Sequence, residues 1–251
     1  MTDVDHESLT QQDAPAGFRL GEPIALQDLL ALPPDRRRWG RDGAGKLCLV
    51  SPESVHGHMH PIGRLVRHLN RSLELPWEVL QEPSLALPVL RTLSGHPLPD
   101  SQLGPRSLEP DVGVFRDMPV AVPPLRGKPK AVRIDELALA IEVLSDRTFR
   151  ADLGLGAADE VDRWRSYLES GVPELWLLDA DVGAPCPLPP RSGLFLRNAG
   201  DRWAPLEVDD LRPAAGSVHG VTPVAGGRVR STVPGLVFDL DAFWAEVAPP
   251  A

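Results

Sequence analysis

The spacing of apolar and polar positions predicts two amphipathic helices in this chain. Apolar residues recur at steps of three and four in residues 61–75 (PIGRLVRHLNRSLEL). This spacing places side chains on one face of a helix. A second helix is predicted at residues 157–170 (AADEVDRWRSYLES), where Gly171 ends the pattern.

Short apolar runs predict strands around these helices; the runs are KLCLVS, WEVLQEP, LALPVL, EPDVGVF, LALAIEVL and PELWLLD. From about residue 183 the pattern predicts a small β meander, which continues through GRVRSTVPGLVFDLDAFW. Strands before, between and after two helices are typical of an α/β domain with a mixed sheet. We therefore expect a flexible leader at 1–20, an α/β core at 21–182 and a β-rich C-terminal extension at 183–251, packed on the same domain.

Composition and charge narrow the classes of function. The chain has 251 residues, 42% of them hydrophobic, which is enough for a sizeable core. Its net charge of −9 gives no general attraction to nucleic acid or acidic membranes, so contact with DNA requires a local basic patch. No apolar run approaches the roughly 20 residues of a transmembrane helix. The polar start does not resemble a signal peptide, so we expect a cytoplasmic protein.

Two acidic residues stand in or beside the most apolar predicted strands. Asp111 lies near the start of EPDVGVF, and Glu142 interrupts LALAIEVL. If these strands pair, both carboxylates converge at one end of the sheet, where hard oxygen ligands suit Mg²⁺ together with a substrate phosphate. The alternative is that Glu142 pairs with an arginine or faces solvent on an edge strand, because a buried carboxylate without a partner costs several kcal/mol.

Three motifs follow one another in the middle of the chain: EPDV, LALAIEVLSDRT and YLESGVPELWLLD. In this order they resemble the Uma-two family of endonucleases, of the PD-(D/E)XK nuclease superfamily, over about residues 20–245. The resemblance implies a restriction-endonuclease-like core with a mixed central sheet flanked by helices. It also implies hydrolysis of DNA phosphodiester bonds with Mg²⁺ or Mn²⁺, and it makes a homodimer plausible.

The resemblance assigns roles by position and shows one departure. Asp111 matches the metal-binding aspartate of the family, and Glu142 matches the acidic residue of its second motif. The slot of the family lysine holds Arg163, and no lysine follows residue 130. Arginine stays protonated and cannot act as a base, although it can contact phosphate. Asp152 and Asp159 compete for the acidic position that precedes the lysine slot.

Basic and histidine clusters supply weaker candidates. The first predicted helix carries Arg64, Arg67, His68 and Arg71 opposite its leucines, and a loop carries Arg126, Lys128 and Lys130. Either cluster could contact a phosphate backbone, and either could be an ordinary solvated surface. The sequence HGHMH contains His56, His58 and His60 at alternating positions. A zinc site there is disfavoured because Pro61 breaks any strand, while His58 matches a histidine often seen in the resembling family.

Three functions follow from these observations. The first is a metal-dependent endonuclease that uses Asp111, Glu142 and Arg163. The second is a catalytically impaired protein of the same fold that binds nucleic acid or another protein, which the missing lysine favours. The third, a zinc hydrolase built on the histidine cluster, is the weakest.

Overall fold

A computed structural model describes residues 22–23, 38–41, 47–50, 60–83, 85–86, 107–117, 119, 132–145, 148–156, 161–180 and 186–247. The predicted leader at 1–20 lies outside these residues. The described part is an α/β fold with one large mixed sheet and a few helices. The predicted α/β class with a mixed sheet is therefore confirmed.

Fourteen strands and four α-helices occur in the described part of the chain. The strands are β1 (Arg38–Arg41), β2 (Leu47–Val50), β3 (Trp77–Gln81), β4 (Leu85–Ala86), β5 (Ser107–Leu108), β6 (Val112–Arg116), β7 (Val132–Arg133), β8 (Leu137–Leu144), β9 (Glu174–Asp179), β10 (Ser192–Asn198), β11 (Trp203–Pro205), β12 (Val208–Pro213), β13 (Val224–Arg230) and β14 (Val237–Asp239). The helices are α1 (His60–Ser72), α2 (Phe149–Asp152), α3 (Arg163–Glu169) and α4 (Leu240–Val247). Among them, no helix has the length and apolar composition needed to cross a bilayer.

The large sheet has the strand order β12-β13-β10-β9-β8-β6-β3, with β11 beside β10 and β14 beside β13. Strands β8 and β9 are parallel, and the chain between them contains α2 and α3. All other pairs in this sheet are antiparallel. The β9–β10 pair joins the C-terminal strands to the strands of the predicted core in one continuous sheet.

Strand β8 is buried on both faces, which explains its unbroken apolar run. Successive strand residues point to opposite faces of a sheet. Leu139 and Ile141 therefore pack in a cluster with α1 and α4, whereas Ala140 belongs to the cluster that contains Tyr167 of α3. Glu142 has the same parity as Ala140, so its side chain points toward α3.

Two predicted elements differ in the structure. The second helix begins only at Arg163, because Asp162 caps it by accepting a hydrogen bond from the Arg165 amide at 2.8 Å. The expected strand through the last predicted segment ends at Asp239, and residues 240–247 form α4. Helix α4 buries Leu240, Phe243 and Trp244, which are three and four residues apart and so lie on one helix face.

Candidate active site

The pairing of β6 with β8 brings the two predicted carboxylates together. Val112 pairs with Ile141 in an antiparallel register, which places Asp111 opposite Glu142. The Asp111 amide lies 3.3 Å from Glu142 Oε2, to which it donates, and the Val143 amide donates to Asp111 Oδ2 at 2.6 Å. Each carboxylate is thus held by the backbone of the neighbouring strand segment.

Helix α3 supplies two donors to the same oxygen of Glu142. Residues 163 and 167 are four positions apart, so their side chains lie on one helix face. Arg163 Nη1 is 3.1 Å from Glu142 Oε1, and the Tyr167 hydroxyl donates to that oxygen at 2.7 Å. The alternative in which Glu142 pairs with an arginine is therefore confirmed, and Glu142 lies on a central strand rather than an edge strand.

A third carboxylate, Asp152 at the end of α2, completes the cluster. Its side chain is 1% exposed, and Oδ1 lies 3.2 Å from Arg163 Nη1. A single guanidinium nitrogen therefore lies between the carboxylates of Glu142 and Asp152. The competing candidate, Asp159, lies outside the described residues.

Burial dominates the electrostatics of this cluster. The pKa of Glu142 is raised to about 8, chiefly by burial and also by the charges on Asp152 and Asp111, while the charge on Arg163 acts to lower it. Burial acts to lower the pKa of Arg163, but the nearby carboxylates outweigh it and raise that pKa above its ordinary value. Arg163 therefore stays protonated and cannot serve as a general base.

Tyr167 was not among the residues that the sequence suggested. It is the only tyrosine of the chain, and its side chain is fully buried. Burial, together with the charge on Glu142, raises the pKa of its hydroxyl well above the ordinary value. The available signal was its position four residues after Arg163 in a predicted helix, facing the same strand.

The basic residues of the first predicted helix were expected on the face opposite its leucines, and they differ in how exposed they are. Arg67 and Arg71 are exposed on α1, whereas Arg64 is half-buried. Arg67 Nε donates to the Gly63 carbonyl at 3.2 Å. His68, expected opposite the leucines, is half-buried: its ring packs edge-on against Phe238, with the ring centroids 5.2 Å apart.

Several other predicted candidates belong to parts of the chain that the structure does not describe. The loop residues Arg126, Lys128 and Lys130 lie outside the described residues. So do His58 and its neighbour His56, and nothing is described of the His60 side chain at the start of α1.

The carboxylates of Asp111 and Glu142 suit a metal ion that needs few protein ligands. Within the described residues, no group of three or more histidine, cysteine, aspartate and glutamate side chains is arranged to hold a metal ion. Mg²⁺ usually takes one or two carboxylates and keeps several waters or substrate phosphate oxygens. Asp111, directly before β6, and Glu142, on the paired strand β8, match that smaller requirement.

Comparison of the sequence with protein-family models and with curated proteins found no match. The function proposed below therefore depends on the sequence motifs and on the geometry of Asp111, Glu142 and Arg163.

Proposed function

We propose that this protein is a metal-dependent endonuclease with a restriction-endonuclease-like core, which hydrolyses phosphodiester bonds in DNA. The observation that carries the proposal is the convergence of Asp111 and Glu142, which are 31 positions apart in sequence and linked by the 3.3 Å contact between the Asp111 amide and Glu142 Oε2. The motif order EPDV, LALAIEVLSDRT and YLESGVPELWLLD supports the same assignment. A homodimer stays a prediction from the resemblance.

Asp111 and Glu142 would hold Mg²⁺ or Mn²⁺ in this proposal. When bound, such an ion supplies an acidified water and charge stabilisation for the phosphate in the transition state. The carboxylates themselves bind and orient the ion, and they must be ionised to do so. Because burial raises the pKa of Glu142 to about 8, binding of the cation is expected to release a proton at neutral pH.

Arg163 would serve as a fixed positive charge in this site. Nη1 already contacts Glu142 and Asp152, at 3.1 and 3.2 Å. The side chain is 24% exposed, and a guanidinium has five N–H donors, so its outer edge can meet a phosphate oxygen from solvent. This role requires no proton transfer, which suits a group that stays protonated.

The test is cleavage of supercoiled and single-stranded DNA with Mg²⁺ and with Mn²⁺. The variants Asp111→Asn and Glu142→Gln are run beside the parent. Glu169→Gln serves as the control, because it removes an exposed carboxylate from α3. We expect metal-dependent cleavage in the parent and in the control, and loss of about 100-fold or more in each site variant. Equal cleavage by Glu142→Gln and the parent would refute the proposed site.

A second candidate function follows from the Arg163 contacts. A guanidinium that lies between two buried carboxylates offsets part of their negative charge in place of a metal ion, which favours a catalytically impaired protein that binds nucleic acid or another protein. Fluorescence anisotropy with labelled DNA separates this candidate from the first. Salt-sensitive binding without cleavage in either metal would favour the binding protein.

A further inference from the structure

We infer that Tyr167 is a positioning residue for the candidate active site, one that fixes the Glu142 carboxylate in the orientation needed to bind the metal ion. This inference rests on the proposed function, since it assigns a task to Tyr167 within the same site. The tyrosine does not contact the reacting phosphate; it acts through Glu142.

The hydrogen bonds to Glu142 divide its two oxygens between two directions. Oε1 accepts from the Tyr167 hydroxyl at 2.7 Å and lies 3.1 Å from Arg163 Nη1, and both donors belong to α3. Oε2 faces the other way, toward the Asp111 amide at 3.3 Å. The donors from α3 therefore prevent rotation of the carboxylate and keep Oε2 on the side of Asp111.

Tyr167 is better suited than Arg163 to this task. Arg163 Nη1 is shared between Glu142 and Asp152, and its side chain is 24% exposed. Tyr167 is fully buried, packs in the cluster beneath the sheet and has only two side-chain torsions, so the position of its hydroxyl is set by the core. Its hydrogen bond is also the shorter of the two.

Core packing alone does not explain a tyrosine at this position. A phenylalanine would fill nearly the same volume, and it would avoid burying a hydroxyl that must find a partner. The phenol oxygen reaches a strand residue through the sheet-facing side of α3, and that residue is the carboxylate proposed to bind metal. Groups that orient a metal ligand in this way typically contribute 10- to 100-fold to metal affinity or activity.

The experiment is titration calorimetry of Mg²⁺ binding to the full chain, for the parent and for Tyr167→Phe. Ser192→Ala is the matched control. It also removes a fully buried hydroxyl, whose hydrogen bond, at 2.6 Å, goes to the Pro189 carbonyl and not to the carboxylate cluster. We expect the Mg²⁺ dissociation constant to rise on the order of 10- to 100-fold in Tyr167→Phe and to stay unchanged in the control.

Cleavage kinetics then separate positioning from simple loss of structure. In Tyr167→Phe the Mg²⁺ concentration for half-maximal cleavage should rise by the same factor as the dissociation constant, while the rate at saturating Mg²⁺ stays close to that of the parent. A merely structural role would lower the unfolding midpoint without moving either metal constant.

A direct readout comes from the single tyrosine. Protein grown with tyrosine labelled only at Cζ, the ring carbon that bears the hydroxyl, gives one ring signal in the carbon NMR spectrum, and this signal should shift in Glu142→Gln if the hydroxyl donates to Glu142. A parent that binds Mg²⁺ and cleaves, beside a Tyr167→Phe variant with the same affinity, would overturn the inference and leave the proposed function intact. A folded parent that neither binds Mg²⁺ nor cleaves would overturn both.

Discussion

Replacing Arg163 by glutamine should destabilise the protein far more than an ordinary surface substitution. The change removes the guanidinium that lies within 3.2 Å of two carboxylates, which are 2% and 1% exposed. Removing one partner of a buried ion pair costs about 3–5 kcal/mol. Arg163 is itself 24% exposed, so water replaces part of the lost interaction, and we expect about 2–4 kcal/mol.

The pH dependence of this loss follows from Glu142. Its folded-state pKa of about 8 lies above the ordinary value of 4.5. At a pH between these two values, the folded state holds a proton that the unfolded state has released. The free energy of unfolding therefore falls as the pH rises through this range. In the parent, stability stops falling once the pH exceeds the Glu142 pKa of about 8. Arg163 lowers the pKa of Glu142, so Arg163→Gln raises it further and the fall continues to higher pH. The difference in stability between parent and variant should therefore grow above pH 8.

Urea unfolding, followed by circular dichroism at pH values below and above 8, measures this difference. The matched control is Arg165→Gln, on the same helix, whose side chain is 46% exposed and pairs with Glu169 at 3.9 Å. Such an exposed pair contributes about 0.5 kcal/mol or less. Equal losses for the two arginine variants, or a difference that shrinks above pH 8, would refute the assignment of Arg163 as the counter-ion of the buried carboxylates.

Two further predictions concern residues that shape the fold around the site. Glu174 is fully buried and accepts hydrogen bonds from the side chains of Trp176 and Thr232, among others, so Glu174→Gln should turn an amide N–H₂ group toward these donors. We expect a loss of about 1–3 kcal/mol in urea unfolding, and an unchanged midpoint would contradict this. Asp162 caps α3 through the Arg165 amide, so Asp162→Ala should cost about 1 kcal/mol, a loss that Asp162→Ser should largely avoid.

Pattern and spacing were sufficient to predict the strands that build the site. Strand β8 was visible because its apolar run is long, and the 31 residues between Asp111 and Glu142 allow a strand, a loop and a return strand. The structure pairs β6 with β8 in the register that this argument needs. Local sequence also contained a signal for α4 that the strand assignment overlooked: Leu240, Phe243 and Trp244 follow helical spacing.

Local pattern alone does not show which side chains meet, because that depends on tertiary contacts. Nothing local distinguishes Arg163, which flanks an apolar helical stripe, from Arg165, two residues later and exposed. Only the packing of α3 on β8 decides which arginine meets Glu142. The same holds for His68: its helical position suggested the solvent face, but the ring contacts Phe238 of β14 edge-on and the residue is half-buried.

The charge of the cluster is what separates the two candidate functions. If fully ionised, the carboxylates of Asp111, Glu142 and Asp152 and the guanidinium of Arg163 together carry two negative charges, the amount that one divalent cation neutralises. Without such a cation, the raised pKa of Glu142 lets the cluster reduce its charge by taking up a proton. A binding protein needs only this protonated state, whereas the proposed nuclease must exchange the proton for a metal ion. The protein is therefore a nuclease only if cation binding outweighs the cost of ionising Glu142.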